Sequence, residues 1–224
     1  MVAVVTGAAG FIGRILVADL AASGPVVGID KRQILDMPAG ATHVTADLLD
    51  NRSDVNDLLS GADLVFHLAG CGDVRDPRPD ADAHRFRDNG LATAAVLAVV
   101  PLDTPLIVAS SSSVYGGSRS GRPSHESDKL NPLGGYARSK VLVEQLCAGR
   151  ADSGGRVTIV RPFTVAGEGQ RPGMAFSRWI AAARDGRPLR LLGSPDQCSR
   201  HLPHVGNVSR ALVDLGQAAR RHEA

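Results

Sequence analysis

The stretch "VVTGAAGFIG", residues 4 to 13, sets Gly7, Gly10 and Gly13 at three-residue spacing between a β-branched run and a helical pattern. Residues 2–6 read as a short strand buried on both faces, ending at Gly7. Beyond the glycines, Phe11, Ile12, Ile15, Leu16 and Leu20 recur at helical spacing until Gly24 and Pro25 stop the helix. Glycines in such a strand-to-helix turn let the backbone approach a pyrophosphate, and the helix N-terminus offers N–H groups and a positive dipole end. The alternative is a turn rich in glycine only for close packing. The strand-turn-helix setting favours the dinucleotide reading.

The alternation continues. Residues 26–30, 44–45, 64–67, 106–110 and 157–161 read as strands, with helical patterns at 55–59, 92–99 and 138–149. Strands alternating with helices, without hairpin signals, predict an α/β doubly wound parallel sheet with helices on both faces. From Pro172 the texture changes to helical patterns at 174–184 and 207–220, separated by a Gly/Pro-rich stretch. The expected division is a dinucleotide-binding domain over 1–165 and a small substrate-binding lobe over 166–224, interleaved with it.

Composition narrows the function classes. With 43% hydrophobic and 21% charged residues, the 224-residue chain can bury a sizeable core; at 4% aromatic, that core is mostly Ala, Val and Leu. The net charge of +2 comes from interspersed charges, so neither a nucleic-acid nor a membrane partner is implied. Cys71, Cys147 and Cys198 are widely spaced and odd in number, which suits reduced thiols and a cytoplasmic location. Cys198, His201 and His204 have ligand-like spacing but no fourth ligand nearby, so no metal is expected.

Asp30 closes the second strand, where a carboxylate accepts hydrogen bonds from an adenosine ribose and repels a 2'-phosphate, favouring NAD over NADP. Lys31 and Arg32 work against that preference, and a plain polar strand end is the simpler alternative. Asp47 and Leu48 follow the third strand at the carboxyl edge of the sheet, and Leu68, Ala69 and Gly70 follow the fourth. His67 reads as a hydrogen-bonded strand-end histidine rather than a catalyst.

"GYARSK", residues 135 to 140, places Tyr136 and Lys140 at i, i+4 on one helix face. A phenol is a poor base near its ordinary pKa of about 10, but a neighbouring cation favours the phenolate, which can take a proton from an alcohol. Upstream, "ASSSSVYGG", residues 109 to 117, ends the fifth strand with four serines: either a flexible polar turn or a hydroxyl aimed at a substrate.

Taken in order, "TGAAGFIG", Asp30, "ADL", "HLAG", Asn89 in "DNGLAT", "ASSSSVYGG", "YARSK", "RPFTVAGEGQRPG" and "RHLPHVGNV" resemble the extended short-chain dehydrogenase/reductases, specifically the NAD-dependent nucleotide-sugar epimerase/dehydratase group. The resemblance implies a Rossmann-type sheet and an NAD-dependent enzyme. Its cofactor residues would be Gly7, Gly10, Phe11, Ile12, Gly13, Asp30, Lys31, Arg32, Asp47, Leu48, Leu68, Ala69, Gly70, Asn89, Tyr136, Lys140 and Pro162. Tyr136 would be the general base and acid, Lys140 its tuner on the nicotinamide ribose, and Ser111 the hydroxyl at the reacting sugar oxygen. Ser112, Ser113, Thr164, Arg171 and Arg200 would face a nucleotide-sugar substrate.

In dehydratases of this family an Asp-Glu pair follows the catalytic hydroxyl; here Ser112 and Ser113 stand there, and neither can replace a carboxylate in eliminating water. The chain looks most like epimerases acting at C4 of UDP-glucuronate. It departs from the family at Thr164, Ala166 and Glu168, where an Asn, an aromatic and a proline are usual, and in ending sooner, so a more open substrate pocket is expected. A homodimer is implied by the same resemblance. The rival readings are a nucleotide-sugar or small-alcohol dehydrogenase of this fold and a non-catalytic NAD-binding regulator or assembly subunit.

Overall fold

The computed structural model describes residues 1–34, 36–74, 76–117, 122–189 and 202–221. Strands β1 (Ala3–Thr6), β2 (Val26–Asp30), β3 (Ala41–Thr45), β4 (Leu64–His67), β5 (Leu106–Ala109) and β6 (Val157–Val160) form one sheet in the order β3-β2-β1-β4-β5-β6. Every pairing is parallel. Helices α1 (Gly13–Ala21), α2 (Ser53–Ser60), α3 (Ala81–Arg85), α4 (Ala92–Val99), α5 (Gly134–Asp152), α6 (Ala175–Arg184) and α7 (Val205–Arg221) alternate with or follow the strands.

The period-two alternation of side chains splits the core into two layers. Val4, Val27, Val65 and Val108 face one way and pack with Val55 and Leu59 of α2, Val96 of α4 and Val143 of α5. Ala3, Val5, Phe66 and Ile107 face the other way against Leu16 and Val17 of α1 and Leu212 of α7. The expected doubly wound sheet is therefore present, and helix α7 from the end of the chain is built into its second layer. Ser209 of α7 also donates a 2.5 Å hydrogen bond to Asp19 of α1.

The chain reverses its direction of travel across the sheet between β3 and β4, so β1 and β4 lie side by side at the centre. In such sheets the crevice outside the carboxyl ends of these strands is where ligands bind. The structure departs from expectation mostly at polar elements. Strand β3 is longer than residues 44–45 because its outer strand position leaves Thr42 and Thr45 exposed, which hides it from an apolar pattern. Helix α3, "ADAHR", carries little apolar signal and leads into a π-helical turn at Phe86–Leu91 that sequence periodicity could not show. Helix α1 starts at Gly13, since residues 10–12 complete the glycine turn. Among the described residues no helix is long and apolar enough to cross a membrane.

Candidate active site

The glycine turn is sterically locked. Gly7 has φ +74°, and a Cβ on it would lie 2.6 Å from the Ala69 nitrogen; a Cβ on Gly13 would lie 2.2 Å from the Gly7 carbonyl oxygen. Helix α1 begins directly behind this turn, without a side-chain cap and without an acidic residue in its first turn. A bare turn backed by an uncapped helix N-terminus fits the pyrophosphate of a dinucleotide. Gly13→Ala is therefore expected to weaken NAD binding by about tenfold or more through displacement of the turn, read by isothermal calorimetry; unchanged affinity would contradict this role for the turn.

At the end of β2, buried Asp30 accepts hydrogen bonds from the Ala9 N–H at 3.0 Å and the Arg32 N–H at 2.9 Å. The Arg32 guanidinium also lies on it, with Nε 3.2 Å from Oδ1. Asp47 accepts from Arg87 at 2.8 Å and from the Leu49 N–H at 3.1 Å. Burial pushes the Asp47 carboxyl up, but Arg87, the Leu49 N–H and the charge of Lys31 outweigh it and hold it below its ordinary range. Leu48 and Leu68 pack against opposite core layers, and Ile12 joins Leu68, so these residues anchor the loops that carry the polar groups.

After β4 the backbone at Gly70 runs so close to Asn89 that a Cβ there would lie 2.3 Å from Asn89 Oδ1. Asn89, wholly buried in the π-helical turn, accepts from the Cys71 N–H at 2.8 Å and donates to the Cys71 carbonyl at 3.2 Å and to Ser139 Oγ at 2.8 Å. Ser139 in turn donates to the Tyr136 carbonyl at 2.8 Å. Asn89 thus braces the β4 loop against the helix that carries Tyr136 and Lys140. His67 lies buried between Thr6 Oγ1 at 2.7 Å and Thr93 Oγ1 at 3.0 Å. Burial and the nearby Lys140 charge push its pKa down to about 3, so it is a neutral structural group, as its sequence position suggested.

Tyr136, Ser111 and Lys140 converge where the fifth strand meets α5. The Ser111 hydroxyl neighbours the Tyr136 phenol, and its Oγ accepts from the Ser113 N–H at 3.2 Å. Burial holds the phenol's pKa above its ordinary value; the Ser111 hydroxyl and the Arg171 charge oppose that rise without overcoming it. Lys140, only 6% exposed, donates from Nζ to the Ala109 carbonyl at 2.8 Å, and burial lowers its pKa to about 8. Arg171 donates to the Gly72 carbonyl at 2.8 Å, which ties the loop after β6 to the loop after β4 beside the tyrosine. The Ser112 N–H donates to the Pro162 carbonyl at 3.0 Å, joining the serine turn to the same loop. Thr164 is exposed on that loop. Arg200, Cys198 and His201 lie outside the described residues. His204 accepts at Nδ1 from the Gly206 N–H at 3.2 Å.

Sequence reasoning missed three features here. Glu144, one helical turn beyond Lys140, is buried and receives Ser110 Oγ at 2.5 Å and Arg161 at 2.9 Å and 2.8 Å. Arg161 also donates to the Tyr115 hydroxyl at 2.9 Å and lies over the Tyr115 ring. This network fixes the backbone on both sides of Ser111, and continuing the i, i+4 series from Tyr136 through Lys140 would have found Glu144. The Cys71 thiol lies within electrostatic reach of both Lys140 and Tyr136. Arg87 bridges Asp47 and Asp88 at 2.8 Å and 2.7 Å. For Cys71 and Arg87 no local motif gives a signal.

Comparison with known proteins agrees with this architecture. The protein MoeE5, solved in complex with UDP-glucuronic acid and NAD, superposes with a TM-score of 0.82 at 36% identity, covering 97% of this chain and 72% of that one. UDP-glucuronic acid 4-epimerase from Bacillus cereus, solved with UDP-glucuronic acid and NAD, gives a TM-score of 0.83 at 30% identity, over 96% of this chain and 73% of that one. An uncharacterized UDP-glucose epimerase of Bacillus subtilis, YtcB, is 32% identical over 228 residues, or 93% of this chain and 70% of that protein. A family model described as the NAD dependent epimerase/dehydratase family matches residues 3–224. With the glycine cradle, the strand order and a match along almost its whole length, the chain belongs to the NAD dependent epimerase/dehydratase family.

Proposed function

We propose that the protein is an NAD-dependent nucleotide-sugar epimerase acting at C4 of a UDP-glucuronate-like substrate. The observation that carries this reading is that the Ser111 and Tyr136 hydroxyls neighbour one another while Lys140 is tied to the Ala109 carbonyl at 2.8 Å, which gives a point where a sugar alcohol can be held and deprotonated. Gly7, Gly10 and Gly13 hold the pyrophosphate, Asp30 the adenosine ribose, and Asp47 the adenine. NAD held in this cradle would supply the acceptor, and then the donor, of a hydride at the sugar carbon.

Tyr136 takes the proton from the reacting hydroxyl and later returns it. Ser111 donates to the oxygen on which charge develops. The Arg171 charge opposes the burial that raises the phenol's pKa, and Lys140, assigned to the nicotinamide ribose one helical turn along α5, would favour the phenolate further once the cofactor is bound. Ser112 and Ser113 offer no carboxylate, which supports turnover without loss of water. The substrate side is assigned to residues 166–224 together with the serine turn.

The exposed residues Leu91, Leu102 and Leu133 flank α4 and α5, and these two helices are proposed as a homodimer interface. The unbridged thiols Cys71 and Cys147 suit a reducing compartment, and the cytoplasm is proposed as the site of action. The test is incubation with NAD and a panel of UDP- and dTDP-sugars, following product by NMR and NADH by absorbance, with light scattering on the same sample. Conversion of UDP-glucuronate without net NADH, by a dimer, is expected. Stoichiometric NADH would make the enzyme a dehydrogenase, and an inert panel would leave only a binding protein.

A further inference from the structure

We propose that Asp88 enforces a preference for NAD over NADP by occupying Lys31, the cation best placed to receive an adenosine 2'-phosphate; this rests on the dinucleotide reading above. Lys31 and Arg32 directly follow Asp30 at the end of β2, where the ribose edge lies. Two adjacent cations there would ordinarily invite a phosphate. In the structure neither offers itself. Arg32 lies on Asp30, with its Nε at 3.2 Å, and Lys31 Nζ donates to Asp88 Oδ2 at 3.0 Å. Arg87, the next cation along this edge, is held by Asp47 and Asp88. Lys31, Arg32 and Arg87 are thus matched by Asp30, Asp47 and Asp88.

Asp88 is the fixed member of its pair. Its side chain is 19% exposed against 55% for Lys31, and it sits in the π-helical turn that buried Asn89 pins to Cys71 and Ser139. A lysine on a flexible stem can follow an incoming phosphate, whereas this carboxylate cannot withdraw from one. Asp88 therefore holds Lys31 back from a phosphate placed near the ribose.

The test is calorimetric titration of NAD and NADP into the wild-type protein, Asp88→Asn and the double variant Lys31→Met with Asp88→Asn. In Asp88→Asn the ratio of the NADP Kd to the NAD Kd is expected to fall about tenfold, an effect that shrinks as salt is raised. The double variant is expected to return the ratio to within about twofold of wild type, because the released lysine is the receiving group. Loss of both cofactors in equal proportion would make Asp88 merely structural. An unchanged ratio in Asp88→Asn, as would follow if Lys31 moved to Asp47, would also overturn the proposal. A wild-type protein that binds neither dinucleotide would strike at the functional reading itself, and the inference would fall with it.

Discussion

Tyr136→Phe is expected to reduce turnover of the nucleotide sugar by about 10²- to 10⁴-fold, the range for removing a positioned general acid and base. Only one oxygen is lost, and the ring still fills its place on α5, so the change isolates proton transfer. The phenol is part-buried, and burial alone would leave it protonated well above neutral pH. The Ser111 hydroxyl and the Arg171 charge are the two influences that act against that burial. Phenylalanine removes the group that both act upon. Affinity for NAD is expected to change by less than about threefold, because Asn89 and Ser139 hold this part of α5 through the Tyr136 backbone carbonyl rather than its ring. Initial rates by NMR and NAD titration by calorimetry check both halves. A variant that keeps its rate within threefold would remove Tyr136 from the chemistry.

What was legible in the sequence was what local rules control. The strand-turn-helix at Gly7 to Gly13 announces itself because the turn leaves no room for a Cβ, and the apolar runs of β1, β2, β4 and β5 announce themselves because those strands are buried on both faces. Tyr136 and Lys140 are a helical turn apart and could be paired from spacing alone. The rest depends on residues distant in sequence and brought together by the parallel crossovers. Glu144 near the middle of α5 meets Arg161 just past β6, Arg87 meets Asp47 across the carboxyl edge of the sheet, and Lys31 meets Asp88 from two different crossovers. No periodicity encodes such pairs, because each half reads alone as a solvated charge. The π-helical turn is hidden for a related reason: its spacing is set by Asn89 reaching Cys71 and Ser139, not by the apolar pattern of "FRDNGL".

Lys140→Met should reduce turnover by about 10²-fold, since the charge proposed to favour the Tyr136 phenolate and hold the nicotinamide ribose is lost, and should make the cofactor-free protein more stable at neutral pH. Burial lowers this lysine from its ordinary 10.5 to about 8. Between those two pH values the unfolded chain carries the proton and the native protein does not, so the lysine's contribution to stability rises with pH across that window. Below about pH 8 the ammonium is charged in both states, and the folded protein bears the full burden of desolvation. That burden is on the order of 3 kcal/mol. Methionine removes it but leaves the Ala109 carbonyl without its 2.8 Å donor, a loss of about 1 kcal/mol. The net expectation is a gain of about 2 kcal/mol at pH 7 that has vanished by about pH 10. Urea unfolding of wild type and variant at pH 7 and pH 10 measures it. A variant less stable than wild type at pH 7, or a gain equal at both pH values, would show that the lysine is not held there against its own desolvation. If the gain is found together with the lost turnover, Lys140 is a charge that this fold buries at the expense of stability because the reaction needs it.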